Sequence, residues 1–472
     1  MATSSVGPST PETPYLVPTV SSVGFTSIIS AGDEVIGATN PDGTAWRFVG
    51  IPDGIGAFDN GDGTATVLVN HEIGATAGVE REHGSIGSFV SRLIVDTDTL
   101  EVLDADDLGD AIFRYDAATE TFYAGTTAIG RLCSADLALP SAFFDAASGK
   151  GTQDRIYLNG EETGAEGRAF AWVVTGAEEG NVYELPWLGK FSWENGLASP
   201  NTGEKTVVIG TDDSTPGQVY VYVGEKRGDG NAVERAGLTG GDLWGVRASF
   251  DFDTNASPGQ SAFLLENLGD VSGKTGAQLQ TASTAAGITE FGRPEDGAWD
   301  TQDPNRFFFA TTGTADAPTR LWALDFIDVA RPDLGGTVTQ LLDGTEGIRS
   351  LDNLTVSDTG KVILQEDQGN TPRLSRVWAY DPETDGLVQI AQHDPAKFGA
   401  ETAAAVVPFN QDEESSGVVD VTGIFGKDGG QAFLLDTQAH YPFGVPGSSG
   451  RTEIVEGGQL MLMRVDADAV FA

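Results

Sequence analysis

Short apolar runs recur along the chain, and each closes on a cluster of Gly, Asp, Asn, Ser or Thr. This is the pattern of strands and turns rather than of long helices. Strands are expected at 65–70, 89–96, 155–159, 219–223, 306–310, 321–326, 361–364 and 431–436, with turns at 59–64, 96–99 and 357–360. No apolar pattern of helical period runs beyond about three turns. The segments 264–268, 327–332 and 396–405 are expected to supply short helical pieces.

The alternation runs from near residue 20 to the C-terminus with no linker or shift in composition. A long all-β chain must hide its sheet edges, and a β-propeller does so by radial repetition. About 450 residues suit six or seven blades, and six, with inserted short helices and long loops, is the expected architecture. A pair of β-sandwich domains is the alternative. The polar, Pro-rich residues 1–20 read as a flexible tail, and 21–472 as a single catalytic propeller domain.

Charge narrows the functional classes. The 472 residues carry 27 Lys+Arg against 70 Asp+Glu, a formal net charge of −43. That surplus argues against nucleic acid or anionic membranes as partners. It fits adaptation to salty water, or binding of multivalent cations. One cysteine, Cys133, excludes an internal disulfide and an all-cysteine zinc site. No run of about 18 apolar residues is present for a membrane span. The N-terminal stretch has no basic segment followed by an apolar one, so an extracellular or periplasmic location implies a removed signal or another export route.

The placement of the acids is more informative than their number. Strand-like segments run into Asn70-His71-Glu72, Glu161-Glu162, Arg293 with Glu295, Asp296 and Asp300, Glu366-Asp367, and Asp412-Glu413-Glu414; Asp352-Asn353 precedes the fourth. Neighbouring carboxylates repel unless a cation or solvent offsets their charge. Any one pair reads equally as a solvated turn. Strand ends meeting on a propeller axis would instead form an all-oxygen site suited to calcium. Arg293 is placed to bind a phosphate bidentately, or else to pair with its neighbouring acids. Cys133 reads as a small buried residue or as a soft ligand that iron would accept. Asp59-Thr64 reads as a hairpin turn, and His440 as a strand cap or a ligand. Neither a GxSxG elbow nor a phosphate-binding P-loop is present.

Taken together, NHE at 70–72, GEE at 160–162, RPEDGAWD at 293–300, DNLTVSDTGKVILQED at 352–367, EESSG at 413–417 and FLLDTQ at 433–438 resemble the PhoX-type alkaline phosphatases. The resemblance spans about residues 50–440 and implies a six-bladed propeller with two ferric ions, a bridging cysteine thiolate and three calcium ions. It assigns Cys133 to the bridge and Glu162, Glu295 and Glu414 to metal ligation, and places Asn70, Glu72, Asp352, Asn353 and Glu366 around the same site. Arg293 would hold the substrate phosphate, the nucleophile being a metal-bound oxo or hydroxide. The implied protein is a monomeric hydrolase of small phosphate esters, monoesters first and di- or triesters next. The sequence departs from that family in lacking a Gly-rich stretch after its cysteine (CSADLALP) and a twin-arginine signal. The alternative is a non-catalytic, calcium-stabilised secreted propeller that binds a polymer or a protein.

Overall fold

Apolar alternation builds antiparallel sheets throughout the computed structural model, which describes residues 4–250, 259–313, 318–400, 402–427, 429–441, 453–466 and 470. The chain divides into two compact units, Met1–Leu108 with Asp352–Ala472, and Gly109–Leu351.

In the first unit, Pro52–Asp59, Thr64–His71, Phe89–Asp96 and Val102–Asp107 form a four-stranded meander. A second sheet runs Leu351–Val356, Val362–Glu366, Arg376–Asp381 and Gly386–His393. A third runs Glu413–Asp420, Gln431–Ala439 and Gly457–Val465. Val23–Ser30 joins the third sheet beside Gly457–Val465, so strands from near both ends of the sequence share one sheet. Two short strands lie within residues 4–20. Leu16–Pro18 pairs with Gly386–His393, and Ser5–Val6 runs parallel to Val23–Ser30. Its prolines frame short edge strands, which tolerate a missing N–H, and Tyr15 and Leu16 are buried.

In the second unit, Leu132–Leu137, Ile156–Glu161, Ala169–Val173 and Asn181–Glu184 form a sheet extended by Ala111–Asp116 and Thr121–Ala124. A nine-stranded sheet follows. Its two meanders, Trp193–Ala198 to Gln260–Gly269 and Pro294–Trp299 to Gly336–Leu342, join where Gln260–Gly269 pairs with Gly336–Leu342.

Helix is scarce, and the expected positions need correction. Residues 264–268 lie within strand Gln260–Gly269, where Phe263 and Leu265 are buried and Leu264 faces outward. Residues 327–332 lead into a single 3-10 turn, Pro332–Leu334; within 396–405 only Pro395–Phe398 is helical in part. The longest helix, Gly276–Ala286, starts at a Thr275/Gln278 capping box and ends at left-handed Gly287. Its residues are mostly small, and Leu279 is its one large apolar side chain, so it leaves no apolar stripe to read. No helix among the described residues is long and apolar enough to cross a membrane.

One backbone device recurs. A register shift interrupts the first strand of a sheet between Pro52 and Ile55, Leu132 and Ala135, Trp193 and Gly196, Pro294 and Gly297, and Ser415 and Val418. Such bulges re-aim side chains where pairing breaks. In three cases the preceding residue is non-glycine with positive φ: Ile51 (50°), Arg131 (43°) and Arg293 (59°). Each of these residues accepts a backbone hydrogen bond from the first residue beyond the neighbouring strand: Glu72 to Ile51, Glu162 to Arg131 and Thr312 to Arg293. Asp213 bonds Ser192 in the same way. Left-handed backbone at such residues costs on the order of 1–3 kcal/mol and concentrates at functional sites.

Candidate functional site

The bulges and the adjoining strand ends carry the polar residues. In the first unit they supply Asp53, Glu72, Glu414 and Gln438, all in or beside strands whose apolar positions are locked in the core. Gln438 Nε2 lies 2.8 Å from Glu72 Oε2, 3.3 Å from Glu414 Oε1 and 3.3 Å from Asp53 Oδ2. Asn353 Nδ2 reaches Asp53 Oδ1 at 3.5 Å. Asp53 and Glu72 each offer a carboxylate oxygen within 4.8 Å of the other's. Behind them Asp436 is fully buried, and neither of its oxygens has a hydrogen-bond partner among the described residues. Burial, reinforced by Glu414, pushes its pKa well above the carboxylate range. Gln438 Oε1 is likewise buried without a partner.

Asp436 and the Gln438 carbonyl thus bring buried acceptors that no donor among the described residues meets. A cation would supply the missing charge, and calcium, which takes oxygen ligands from carboxylates and amides, fits this donor set. One positive group stands at its edge. His440 Nδ1 lies 2.8 Å from Glu456 Oε2 and Nε2 lies 3.7 Å from Glu414 Oε2. Burial opposes the imidazolium, but the bonds to both glutamates outweigh it and lift the pKa to about 11.

The second unit repeats the arrangement with different side chains. Glu194 and Glu295 offer carboxylate oxygens within 4.8 Å of each other. Ser134 donates to Glu194 (2.5 Å), Thr312 to Glu295 (2.6 Å) and Asn195 to Asp296 (2.6 Å). Burial first, and Asp213 next, hold the Glu295 pKa well above its usual value, with Arg293 opposing them. The Arg293 guanidinium binds Asp213 through Nε (2.7 Å) and Nη2 (2.9 Å) and meets Glu295 at 3.2 Å, yet 39% of its side chain is exposed. Close packing sets these positions: a Cβ on Gly160 would lie 2.3 Å from Cβ of Trp193, the neighbour of Glu194.

The structure draws Glu72, Asn353 and Glu414 together in one unit and Arg293 and Glu295 in the other. Asn70 is buried opposite Val90, Asp352 is buried in Leu351–Val356, and Cys133 is buried on the bulge beside Ser134. Two expected ligands have other company. Glu162 pairs with Arg131, because Leu132 and Glu161 are in register and bring their outer neighbours face to face. Glu366 is fully buried, and its oxygens accept from Arg373 (2.5 and 2.8 Å), Trp378 Nε1 (3.1 Å) and Arg376 N (3.1 Å). Asp53, Glu194, Asp213, Thr312 and Asp436 were not singled out in the sequence. A signal was there: PDG at 52–54, ENG at 194–196 and EDG at 295–297 share an acid followed closely by glycine at each bulge.

No family model and no curated protein sequence matches the chain. Among solved structures it is similar to Pseudomonas fluorescens PhoX in complex with vanadate, a transition state analogue, at 12% identity and a TM-score of 0.69, covering 96% of each chain. Similarity to a Trypanosoma rangeli sialidase is lower, with a TM-score of 0.41 and 10% identity over 94% of this chain and 58% of that one. Sqt1 from Chaetomium thermophilum gives 0.38 and 9% over 91% and 99%. The fold over nearly the whole chain is thus the β-rich, propeller-like fold of PhoX.

Proposed function

We propose that the chain is a six-bladed propeller hydrolase that cleaves small phosphate monoesters with bound calcium and iron. Arg293 carries the reading. It is an arginine held in a strained left-handed backbone, oriented through two bonds by Asp213, and still open to solvent. Such a guanidinium is aimed before substrate arrives, so it would stabilise charge on the phosphoryl oxygens without reorganising. The fold match to a protein solved with vanadate, a phosphate-like oxyanion, points the same way.

Asp53, Glu72, Glu414, Asp436 and the Gln438 carbonyl would hold calcium, and Glu194 and Glu295 offer a second pair of carboxylates. Cys133 is the one thiol in the sequence, a soft sulfur donor of the kind iron accepts. Bound metals would supply Lewis acidity and a water of lowered pKa. Thr312 and Arg293 keep the Glu295 carboxylate in place, and Ser134 does the same for Glu194. The reading includes an extracellular or periplasmic monomer that engages neither nucleic acid nor membrane, in keeping with the charge of −43.

Protein stripped with EGTA should lose p-nitrophenyl phosphate turnover and regain it with calcium, and Arg293→Ala should lower kcat/KM by about 100-fold or more. Full turnover by metal-free protein, or wild-type rates in Arg293→Ala, would leave the non-catalytic calcium-stabilised propeller as the better reading.

A further inference from the structure

Four of the chain's 27 basic residues line one cavity of about 500 Å³ in the second unit: Lys150, Lys205, Lys226 and Arg227. In a protein of net charge −43 such a concentration calls for a counterion. Lys150 and Lys205 have one, in exposed pairs with Glu204 (2.6 Å) and Glu225 (2.5 Å), which solvent weakens. Lys226 and Arg227 have no carboxylate within 4.0 Å among the described residues, although Glu225 and Asp242 also line the cavity.

Lys226 is only 2% exposed, yet no carboxylate lies within 4.0 Å of its ammonium among the described residues. Two of its three protons go to the carbonyls of Gly203 and Lys205, leaving one donor. Burial pulls its pKa down to about 8 despite attraction from Asp145. A buried charge without a partner is costly and is normally matched. Beside it, the Arg227 guanidinium makes one long contact, 3.4 Å to the Thr239 carbonyl. The Thr239 hydroxyl is buried and has no partner either. Gly240 keeps this corner clear, since a Cβ there would sit 2.8 Å from Arg227 Nη2.

We infer that this cavity is a second oxyanion site, taking inorganic phosphate or the phosphate end of an ester on Lys226, Arg227 and Thr239. It lies at the Lys205 end of strand Lys205–Asp212, whereas Asp213, the partner of Arg293, follows the other end. Eight residues of extended chain separate the two ends by about 26 Å. The site is therefore distinct from the candidate centre, and its occupancy does not depend on the proposed hydrolysis.

Inorganic phosphate is the probe, titrated calorimetrically against the metal-loaded full chain carrying Arg293→Ala, with sodium chloride at equal ionic strength as the control. Phosphate should bind that protein, and adding Arg227→Gln or Thr239→Val should weaken binding at least tenfold. Thr239→Val removes only an unpaired hydroxyl, so the protein should stay folded, and its Tm should no longer rise with phosphate. The proposal fails if Arg293→Ala alone abolishes binding, if both added variants bind as tightly as their parent, or if chloride matches phosphate. Glycerol phosphate in the same titration separates the sources: equal affinity points to ester ends, and much weaker binding to free phosphate, each consistent with the site.

Discussion

His393 is fully buried, its Nε2 2.8 Å from Ser415 Oγ, and its Nδ1 has no hydrogen-bond partner among the described residues. Burial holds the imidazole neutral down to a pKa of about 3, against roughly 6.5 in an unfolded chain. Between those values the unfolded chain binds the proton and the folded one does not. The stability this neutral ring secures is thus fully present above pH 6.5, falls by about 1.4 kcal/mol per pH unit on acidification, and levels off below pH 3. Denaturant unfolding of wild type and His393→Asn between pH 6 and 4 should show the steeper loss in wild type by about that slope. Equal slopes would mean that the ring already carries its charge in the fold. His440 runs the other way, kept charged by Glu414 and Glu456, so two histidines of one unit serve opposite electrostatic ends.

At the scale of elements, Leu16–Pro18 makes a checkable claim. Its register, Leu16 to His393 and Pro18 to Ala391, adds an edge to the sheet, and Tyr15 packs edge-on to Phe398 and Phe409. Burying Tyr15 and Leu16 is worth roughly 3–6 kcal/mol before entropy is counted. A chain lacking residues 1–18 should melt several degrees lower, and an unchanged Tm would show that the strand contributes no stability. Why this segment read as a tail also explains what else was hard to read. Strands such as Thr64–His71, Phe89–Asp96 and Gln431–Ala439 are apolar at successive positions and were visible in the sequence. Pro52–Asp59, Trp193–Ala198 and Pro294–Trp299 carry their acids and glycines at a bulge, which breaks the alternation that marks a strand. Glu295 was legible because Arg293 and Pro294 frame it, whereas Glu194 and Asp53 were not. The partner of each bulge is fixed only by cross-strand register, so Asp213 on Arg293 and Arg131 on Glu162 could not be read from spacing.

For the whole molecule, the charge of −43 poses a question that the buried acids sharpen. Salt adaptation and cation binding both predict that added electrolyte stabilises the fold, but by different physics. Screening depends on ionic strength alone and weakens repulsion among exposed carboxylates beyond a Debye length of about 10 Å at 0.1 M. Site binding depends on the ion, and a ligand at 100 times its Kd adds about 2.7 kcal/mol. Asp436, with both oxygens buried and without a hydrogen-bond partner among the described residues, and the Asp53 and Glu72 carboxylates beside Gln438 lie too deep for screening to serve them well. Millimolar calcium should therefore raise the Tm of EGTA-treated protein by several degrees, where sodium chloride of equal ionic strength raises it less. Asp436→Asn should keep the sodium response and lose much of the calcium response, because it alters one buried ligand and leaves the surface charge almost intact. If calcium and sodium act alike at matched ionic strength, the buried acids are protonated rather than metal-bound, and the surplus charge belongs to the solvent-facing surface.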